Sequence, residues 1–378
     1  MSKPKITADD KIPFLKGVLE PYADMIYLPG NQITRESVMN ADALLVRTRT
    51  KCNQSLLEGT SVKYIATATI GYDHIDTEYC KSSEITWVNA PGCNSSSVQQ
   101  YITAALLLLA QKHDFNLSEK TLGIVGGGNV GSKVHTAANL LGMKVILNDP
   151  PRARKEGNAG FVSLDEILYT SDIITLHVPL NRAGDDRTFH LFDRARLGKV
   201  KESAWLINSS RGEVVETNAL KNALSAGKLK GAVLDVWENE PDIDLELLGQ
   251  VALSTPHIAG YSTDGKANGT AMIVQSLSQF FNLPLLDFYP ALLPVPSDPI
   301  IPIDGTGKSH QQIIQEAVAQ TYAIMEDHNR LQFAPGSFEQ QRGNYPIRRE
   351  FGAYTLKFSN VEKGIISILE KFGFRIEK

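Results

Sequence analysis

The sequence predicts an α/β protein built on parallel sheets, and three observations predict it. Apolar runs of strand length alternate with helical stretches through residues 121–260. The first ninety residues show the same alternation in a shorter form. A glycine-rich turn, Gly126-Gly-Gly-Asn-Val-Gly131, follows one apolar run and opens a helical pattern. At about 150 residues per domain, the 378 residues give two or three domains.

The elements follow in order. Near the start, ALLV (43–46), VKYIATA (62–68) and ITWVN (85–89) read as strands. After the break at Asn89-Ala-Pro-Gly92, SSSVQQYITAALLLLAQ (95–111) reads as a long helix with serines for N-caps. TLGIVG (121–126) is a buried strand, NVGSKVHTAANLLG (129–142) a helix closed by Gly142, and MKVILND (143–149) the next strand. FVSLDEIL (161–168), DIITLHVPL (172–180), AWLINSS (204–210) and GAVLDVW (231–237) continue the βα rhythm, and VALSTPHIAG (251–260) adds a last strand and a loop. DGKANGTAMIVQSLSQFF (264–281) reads as a helix. The proline-rich stretch 283–305 predicts a linker or extended arm. One helix is expected over 311–331, then a polar loop and a short tail.

Composition narrows the function. Thirty-eight Lys and Arg against 42 Asp and Glu leave a net charge of −4, which argues against broad nucleic-acid or membrane-surface binding. A local basic patch for one phosphorylated metabolite stays open. Cys52, Cys80 and Cys93 are odd in number and widely spaced, without a C-x-x-C pair, so neither a disulfide framework nor a metal site is expected. The longest apolar run, AALLLLA (104–110), is far below the roughly 18 residues of a membrane span. No secretory signal is visible, and a cytoplasmic, reduced protein is the expectation.

The glycine turn matches G-x-G-x-x-G in the context that gives it meaning. Asp149 ends the next strand 149 − 131 = 18 residues on, close to the spacing of about 20 expected of a dinucleotide site. Gly126 permits the tight turn, Gly128 lets a pyrophosphate approach, and Gly131 lets helix and strand pack. Phosphates meet the amides and positive end of the helix. Asp149 can accept from both ribose hydroxyls, which favours NAD over NADP. Arg152 and Arg154 follow it; they could cradle a 2′-phosphate, but read better as solvated surface charges.

Three further residues sit just after apolar strands: Arg211 in INSSRGEVV, Glu240 in LDVWENEP and His257 in STPHIAGYS. Ligands bind at the carboxyl ends of strands in open α/β sheets, so the three can converge. A planar guanidinium suits a substrate carboxylate. A histidine suits removal of an alcohol proton as a hydride leaves, and a carboxylate fixes its tautomer. Asp235 could meet a nicotinamide amide or cap a turn. His74 reads as a loop residue and His177 as lining the cofactor cleft. His113, His135, His190, His310 and His328 show no partner pattern.

Together GIVGGGNVG, NDPPRA, LHVPL, NSSRGEVV, LDVWENEP and TPHIAGYS resemble the D-2-hydroxyacid dehydrogenase family. The tail FEQQRGNYPIRREF (338–351) resembles the C-terminal dimerisation domain of one branch of it. The resemblance implies a two-lobed α/β fold. It has a flavodoxin-like substrate or lid domain (1–90 plus 262–285) and a Rossmann NAD-binding domain (91–261). A proline-rich arm with a small α+β dimerisation domain (286–378) completes it. It implies NAD as cofactor, a small phosphorylated 2-hydroxy acid as substrate and a homodimer. Arg211, Glu240 and His257 match the catalytic residues. Gly126, Gly128, Asn129, Val130, Gly131, Asp149, Val178, Ser209, Ser210, Asp235 and Gly260 match cofactor positions. Thr48, Thr69 and Tyr261 match substrate positions, with Thr48 in place of a serine. Val178 replaces a usual threonine, so only its backbone can serve. Arg47 and Arg49, read on one face of a strand end, are phosphate candidates. Arg348 and Arg349 could reach across a dimer. Two alternatives stay open: dehydrogenation of another 2-hydroxy acid, such as 3-phosphoglycerate or D-lactate, and a non-enzymatic NAD-sensing scaffold.

Overall fold

The computed structural model describes residues 3–377, in two compact units. One runs up to Asn94 and takes in Thr263–Pro294; the other takes Ser95–Ser262 and everything from Val295 on.

The first unit holds five parallel strands: β1 (Lys5–Asp9), β2 (Asp24–Leu28), β3 (Ala43–Val46), β4 (Tyr64–Thr67) and β5 (Thr86–Val88). Their order, β2-β1-β3-β4-β5, is the flavodoxin-like arrangement expected. Side chains of a strand alternate between faces, and β3 and β4 divide accordingly. Ala43, Leu45, Tyr64 and Ala66 pack with Ile273, Val274 and Leu277 of the helix Thr263–Phe281. Leu44, Val46 and Ile65 enter a second cluster with Val38, Leu56 and Leu57. Burial on both faces explains why these strands read as unbroken apolar runs.

The second unit holds β6 (Thr121–Val125), β7 (Lys144–Asn148), β8 (Ile173–Leu176), β9 (Trp205–Asn208), β10 (Gly231–Leu234) and β11 (Leu253–Ser254). All six are parallel, in the order β11-β10-β9-β8-β6-β7. The chain turns back between β7-β6 and β8, and the glycine turn lies at that switch point. The segment 161–168 differs from expectation. Val162 N bonds Leu147 O at 2.8 Å, so the chain runs beside β7, but no strand forms. Ser163 instead accepts from Glu166 N at 3.1 Å and caps a helix, Leu164–Thr170, whose first turn carries Asp165 and Glu166.

The tail adds β12 (Ile300–Asp304), β13 (Thr355–Ser359) and β14 (Arg375–Ile376), a parallel sheet in that order. The proline-rich stretch therefore ends as a strand rather than a free arm. Pro302 is tolerated because β12 is an edge, where a missing N–H faces outward. The expected helix 311–331 is two, His310–Thr321 and Ile324–Phe333. Thr321 Oγ1 bonds Val318 O at 2.8 Å, and Tyr322 turns extended (φ −152°), which lets its hydroxyl reach Asp327 at 2.8 Å. Ile301, Ile313, Val318 and Leu369 of the tail share one core with the helix Ser95–Lys112 and with Ile207 and Val233 of the six-stranded sheet. No helix among the described residues is long and apolar enough to cross a membrane.

Candidate active site

The glycine turn is shaped by what surrounds it. Gly126 has φ +95°, and a Cβ there would stand 2.6 Å from His177 O and 2.9 Å from Val178 Cγ1. A Cβ on Gly131 would stand 1.9 Å from Gly126 O, so the helix Asn129–Leu140 can approach the turn only without one. Gly128, by contrast, faces open space, with nothing within 4 Å of a Cβ. Asn129 and Val130 begin the helix directly behind it.

Asp149 closes the turn from β7. Its Oδ2 accepts from Gly127 N at 2.7 Å and its Oδ1 from Arg152 N at 3.0 Å. Each oxygen retains capacity to accept from a ribose hydroxyl. Arg152 is engaged by Gly127 O and by both oxygens of Glu156, and Arg154 by Asp186. Neither arginine is poised for a 2′-phosphate. Ser209 Oγ is buried with no partner among the described residues. The open cradle before Gly128, the helix start behind it and this orphaned hydroxyl fit NAD. Ser210 serves the loop itself: its N and Oγ both bond Asn208 Oδ1, at 3.1 and 2.9 Å.

Arg211, Glu240 and His257 lie on the segments that follow the carboxyl ends of β9, β10 and β11. His257 Nδ1 lies 2.7 Å from Glu240 Oε2. Glu240 Oε1 accepts from Trp237 N at 2.9 Å. Burial pushes the Glu240 carboxyl up, but the His257 charge and hydrogen bond, with the Trp237 amide, outweigh it, so the group is held below its usual range. Arg211 Nη1 donates to Ser210 O at 2.8 Å, and Asn208 Nδ2 to Arg211 O at 2.9 Å, which fixes that loop. Gly212 explains how the loops are joined. A Cβ there would stand 1.9 Å from the Trp237 carbonyl carbon, so the Arg211 loop lies directly on the backbone that leads to Glu240.

Asp235 holds the histidine loop. It is fully buried, and burial raises its carboxyl. Its Oδ1 accepts from Thr255 Oγ1 at 2.6 Å and Ile258 N at 2.8 Å, its Oδ2 from Ala259 N at 2.9 Å. The turn-capping reading of Asp235 therefore describes a structural job that the carboxylate performs. His257 itself adopts φ +55°, a left-handed conformation uncommon for a non-glycine residue. The turn continues through Gly260, with Tyr261 N bonding Ile258 O at 2.9 Å. The Tyr261 ring meets Tyr345 edge-on at 5.9 Å and lies 5.6 Å from the Arg342 guanidinium.

In the first unit, Arg47 and Arg49 do not share a strand: β3 ends at Val46 and Arg49 falls in the turn that follows. The strand-face argument for them fails for that reason. Arg47 Nη1 bonds Lys11 O at 3.1 Å. Thr48 is exposed. Thr69 Oγ1 shares a 2.8 Å hydrogen bond with Thr67 Oγ1 and donates to Gly71 O at 2.9 Å. His74 Nε2 meets Thr67 Oγ1 at 3.1 Å, and burial lowers its pKa to about 4, so it is a neutral residue of that loop.

His177 is likewise held neutral, its pKa lowered to about 3 by burial, with Nε2 3.0 Å from Thr175 Oγ1. His190 does have a partner: its Nε2 lies 2.7 Å from Glu238, which also accepts from Thr217 N at 2.7 Å. Their separation by 48 positions hid the pair. Arg348 does not face outward for a dimer partner; it is 4% exposed, turned in against the chain's own backbone. Asn208, Gly212 and Trp237, which tie the three loops together, lie inside the motifs but carry no chemical signal in sequence.

Residues 103–259 match the family described as D-isomer specific 2-hydroxyacid dehydrogenase, NAD binding domain, and residues 292–373 match a domain of unknown function. Among solved structures, a D-lactate dehydrogenase from Aquifex aeolicus complexed with NAD and lactic acid is similar at TM-score 0.62 and 28% identity, over 74% of this chain and 95% of that one. The fold and site thus define an NAD-dependent oxidoreductase acting on CH–OH, of the D-2-hydroxyacid dehydrogenase class. Finer relatives are close. Erythronate-4-phosphate dehydrogenase of Bacteroides thetaiotaomicron is 51% identical over 353 residues, 93% of this chain and 99% of that one. That of Porphyromonas gingivalis is 40% identical over 363 residues, 96% and 98% of the two chains. The chain belongs to the erythronate-4-phosphate dehydrogenase family.

Proposed function

We propose that this chain oxidises 4-phospho-D-erythronate at C2 to 2-oxo-3-hydroxy-4-phosphobutanoate, in the cytoplasm, as a step toward pyridoxal 5′-phosphate. The observation that carries the reading is the 2.7 Å contact between His257 Nδ1 and Glu240 Oε2, beside the loop of Arg211. The names of the full-length relatives support the choice of substrate.

Bound NAD supplies the hydride acceptor, the nicotinamide C4. Gly126, Gly128, Gly131 and the start of the helix Asn129–Leu140 would hold its pyrophosphate, and Asp149 its ribose. The residues do the rest. With Nδ1–H donated to Glu240, His257 is left with Nε2 as the acceptor for the C2 hydroxyl proton. Glu240, kept ionised, stabilises the imidazolium that results. Arg211 grips the substrate carboxylate with a fork that lysine lacks. Asp235 keeps the histidine loop in place. Thr48, Thr69 and Tyr261 are proposed substrate contacts, and Arg47 a candidate for the phosphate. The tail is proposed to form a homodimer.

Isotope tracing tests the chemistry. 4-Phospho-D-erythronate deuterated at C2 should transfer its deuterium to the reduced nicotinamide. Deuterium retained in the organic product, or released to water, contradicts direct hydride transfer.

A further inference from the structure

The histidine loop is gripped from two sides. Asp235, from β10, takes the amides of Ile258 and Ala259 at 2.8 and 2.9 Å. The carbonyls of the same two residues face the tail, where Arg348 Nη2 donates to Ile258 O at 3.1 Å and Ala259 O at 2.6 Å. The same nitrogen reaches Ser97 Oγ at 2.5 Å. Ser97 in turn donates to Ala259 O at 2.8 Å and accepts from Ser262 N at 3.0 Å. The guanidinium lies 4.5 Å from the Tyr322 ring centre and 5.6 Å from that of Tyr345.

This is an expensive way to stabilise a fold. A fully buried cation must be desolvated, and apolar replacements of buried ions are often as stable or more so. Here the nearest acceptors are carbonyls and a hydroxyl, with the aromatic faces beside them. All three oxygens converge on the one Nη2, so a single guanidinium edge ties the two carbonyls to the Ser97 hydroxyl. What the arrangement secures is a backbone conformation. His257 sits at φ +55°, and a non-glycine residue stays there only where its surroundings over-determine it.

We propose that Arg348 is a positioning residue for His257: the tail holds the loop whose left-handed turn aims the imidazole at Glu240. The proposal rests on His257 being the proton acceptor. It ties Arg348 of the tail to the active site of its own chain.

The test uses the full-length protein. Arg348→Met should lower kcat by about tenfold to a hundredfold, by analogy with other losses of catalytic alignment. NAD affinity should change by less than about threefold, since the glycine turn is untouched. The deuterium isotope effect on kcat, with C2-deuterated 4-phospho-D-erythronate, should rise as transfer becomes rate-limiting. Arg348→Lys, which keeps the charge and reaches one carbonyl, should recover part of kcat. Ser97→Ala, a milder change, should lower kcat in the same direction with NAD binding intact. Wild-type kcat and isotope effect in a folded Arg348→Met protein would overturn the proposal. So would losses of kcat, NAD binding and thermal stability in parallel across all three variants. His257→Ala separates the two layers: an active His257→Ala protein removes the reading beneath, whereas an inactive one beside a normal Arg348→Met removes this proposal alone.

Discussion

His257 and Glu240 show what one hydrogen bond decides. Beside an ionised Glu240 the 2.7 Å contact calls for the proton on Nδ1, which leaves Nε2 for the proposed role. His257→Ala should reduce kcat by about 10² or more while NAD still binds, as expected for loss of a general base; steady-state kinetics beside a binding titration checks both. Two other histidines predict stability rather than rate. His177 and His74 have pKa values lowered by burial to about 3 and about 4. In the unfolded chain both return to about 6.5. Below that value the unfolded state binds protons that the folded state refuses, so stability falls as pH drops from about 6.5 toward 4 and is unaffected above 7. Each histidine should add about 1.4 kcal/mol per pH unit to that slope. His177→Gln should flatten the acid limb of a urea-unfolding series by one proton; an unchanged slope contradicts the burial argument. Individual residues were unevenly legible. Arg211, Glu240 and His257 announce themselves because each follows a strand in a motif. Arg348 does not, because its partners lie about 90 and 250 positions away in the chain.

The glycine turn separates two kinds of glycine within one element. Gly131 is required by the protein, since a Cβ would meet Gly126 O at 1.9 Å. The protein itself does not require Gly128, since a Cβ would meet nothing within 4 Å, and its proposed role is to admit the pyrophosphate. Gly128→Ala should therefore fold with normal stability and lose NAD affinity by tenfold or more, on the order of 1.4 kcal/mol. Gly131→Ala should lose both stability and NAD binding. Equal effects from the two would contradict this division. Gly212→Ala should drive the Arg211 loop off Trp237, with a loss of about 3 kcal/mol in unfolding free energy and of activity together. The elements that sequence patterning missed have local causes. Tyr322 leaves the helical path to bury its ring and bond Asp327, so the continuous periodicity of 311–331 conceals a break. The segment 161–168 was read into the βα rhythm, but Leu164, Ile167 and Leu168 fall at helical spacing, and the Ser163 cap with two acids in the first turn starts a helix at Leu164. The proline-rich composition of 283–305 suggested a linker, though an edge strand accepts Pro302.

At the scale of the whole molecule, the doubly wound sheet and its cofactor turn were legible because parallel strands buried on both faces leave long apolar runs. The tail was legible as a domain only by resemblance, since patterning showed no more than helical periodicity over 311–331. Its core is shared with the helix Ser95–Lys112, a long-range packing that no local pattern encodes. Charge placement at this scale also bears on the choice of cofactor. Asp149, the proposed ribose partner, closes the glycine turn while Arg152 and Arg154 are tied to Glu156 and Asp186. The protein should accordingly use NAD with kcat/KM at least about a hundredfold above NADP, by the repulsion between Asp149 and a 2′-phosphate; comparable values for the two contradict this.

The measurement that tests the account most directly is turnover of purified protein on 4-phospho-D-erythronate. Reduced nicotinamide would be followed by absorbance, with added NAD and, separately, with a 2-oxo acid acceptor in case the cofactor is retained. 3-Phosphoglycerate and D-lactate run in parallel. The account predicts turnover of the erythronate ester well above both, abolished by His257→Ala. Measurable NAD binding with no turnover of any of the three would contradict it and favour a non-catalytic NAD sensor.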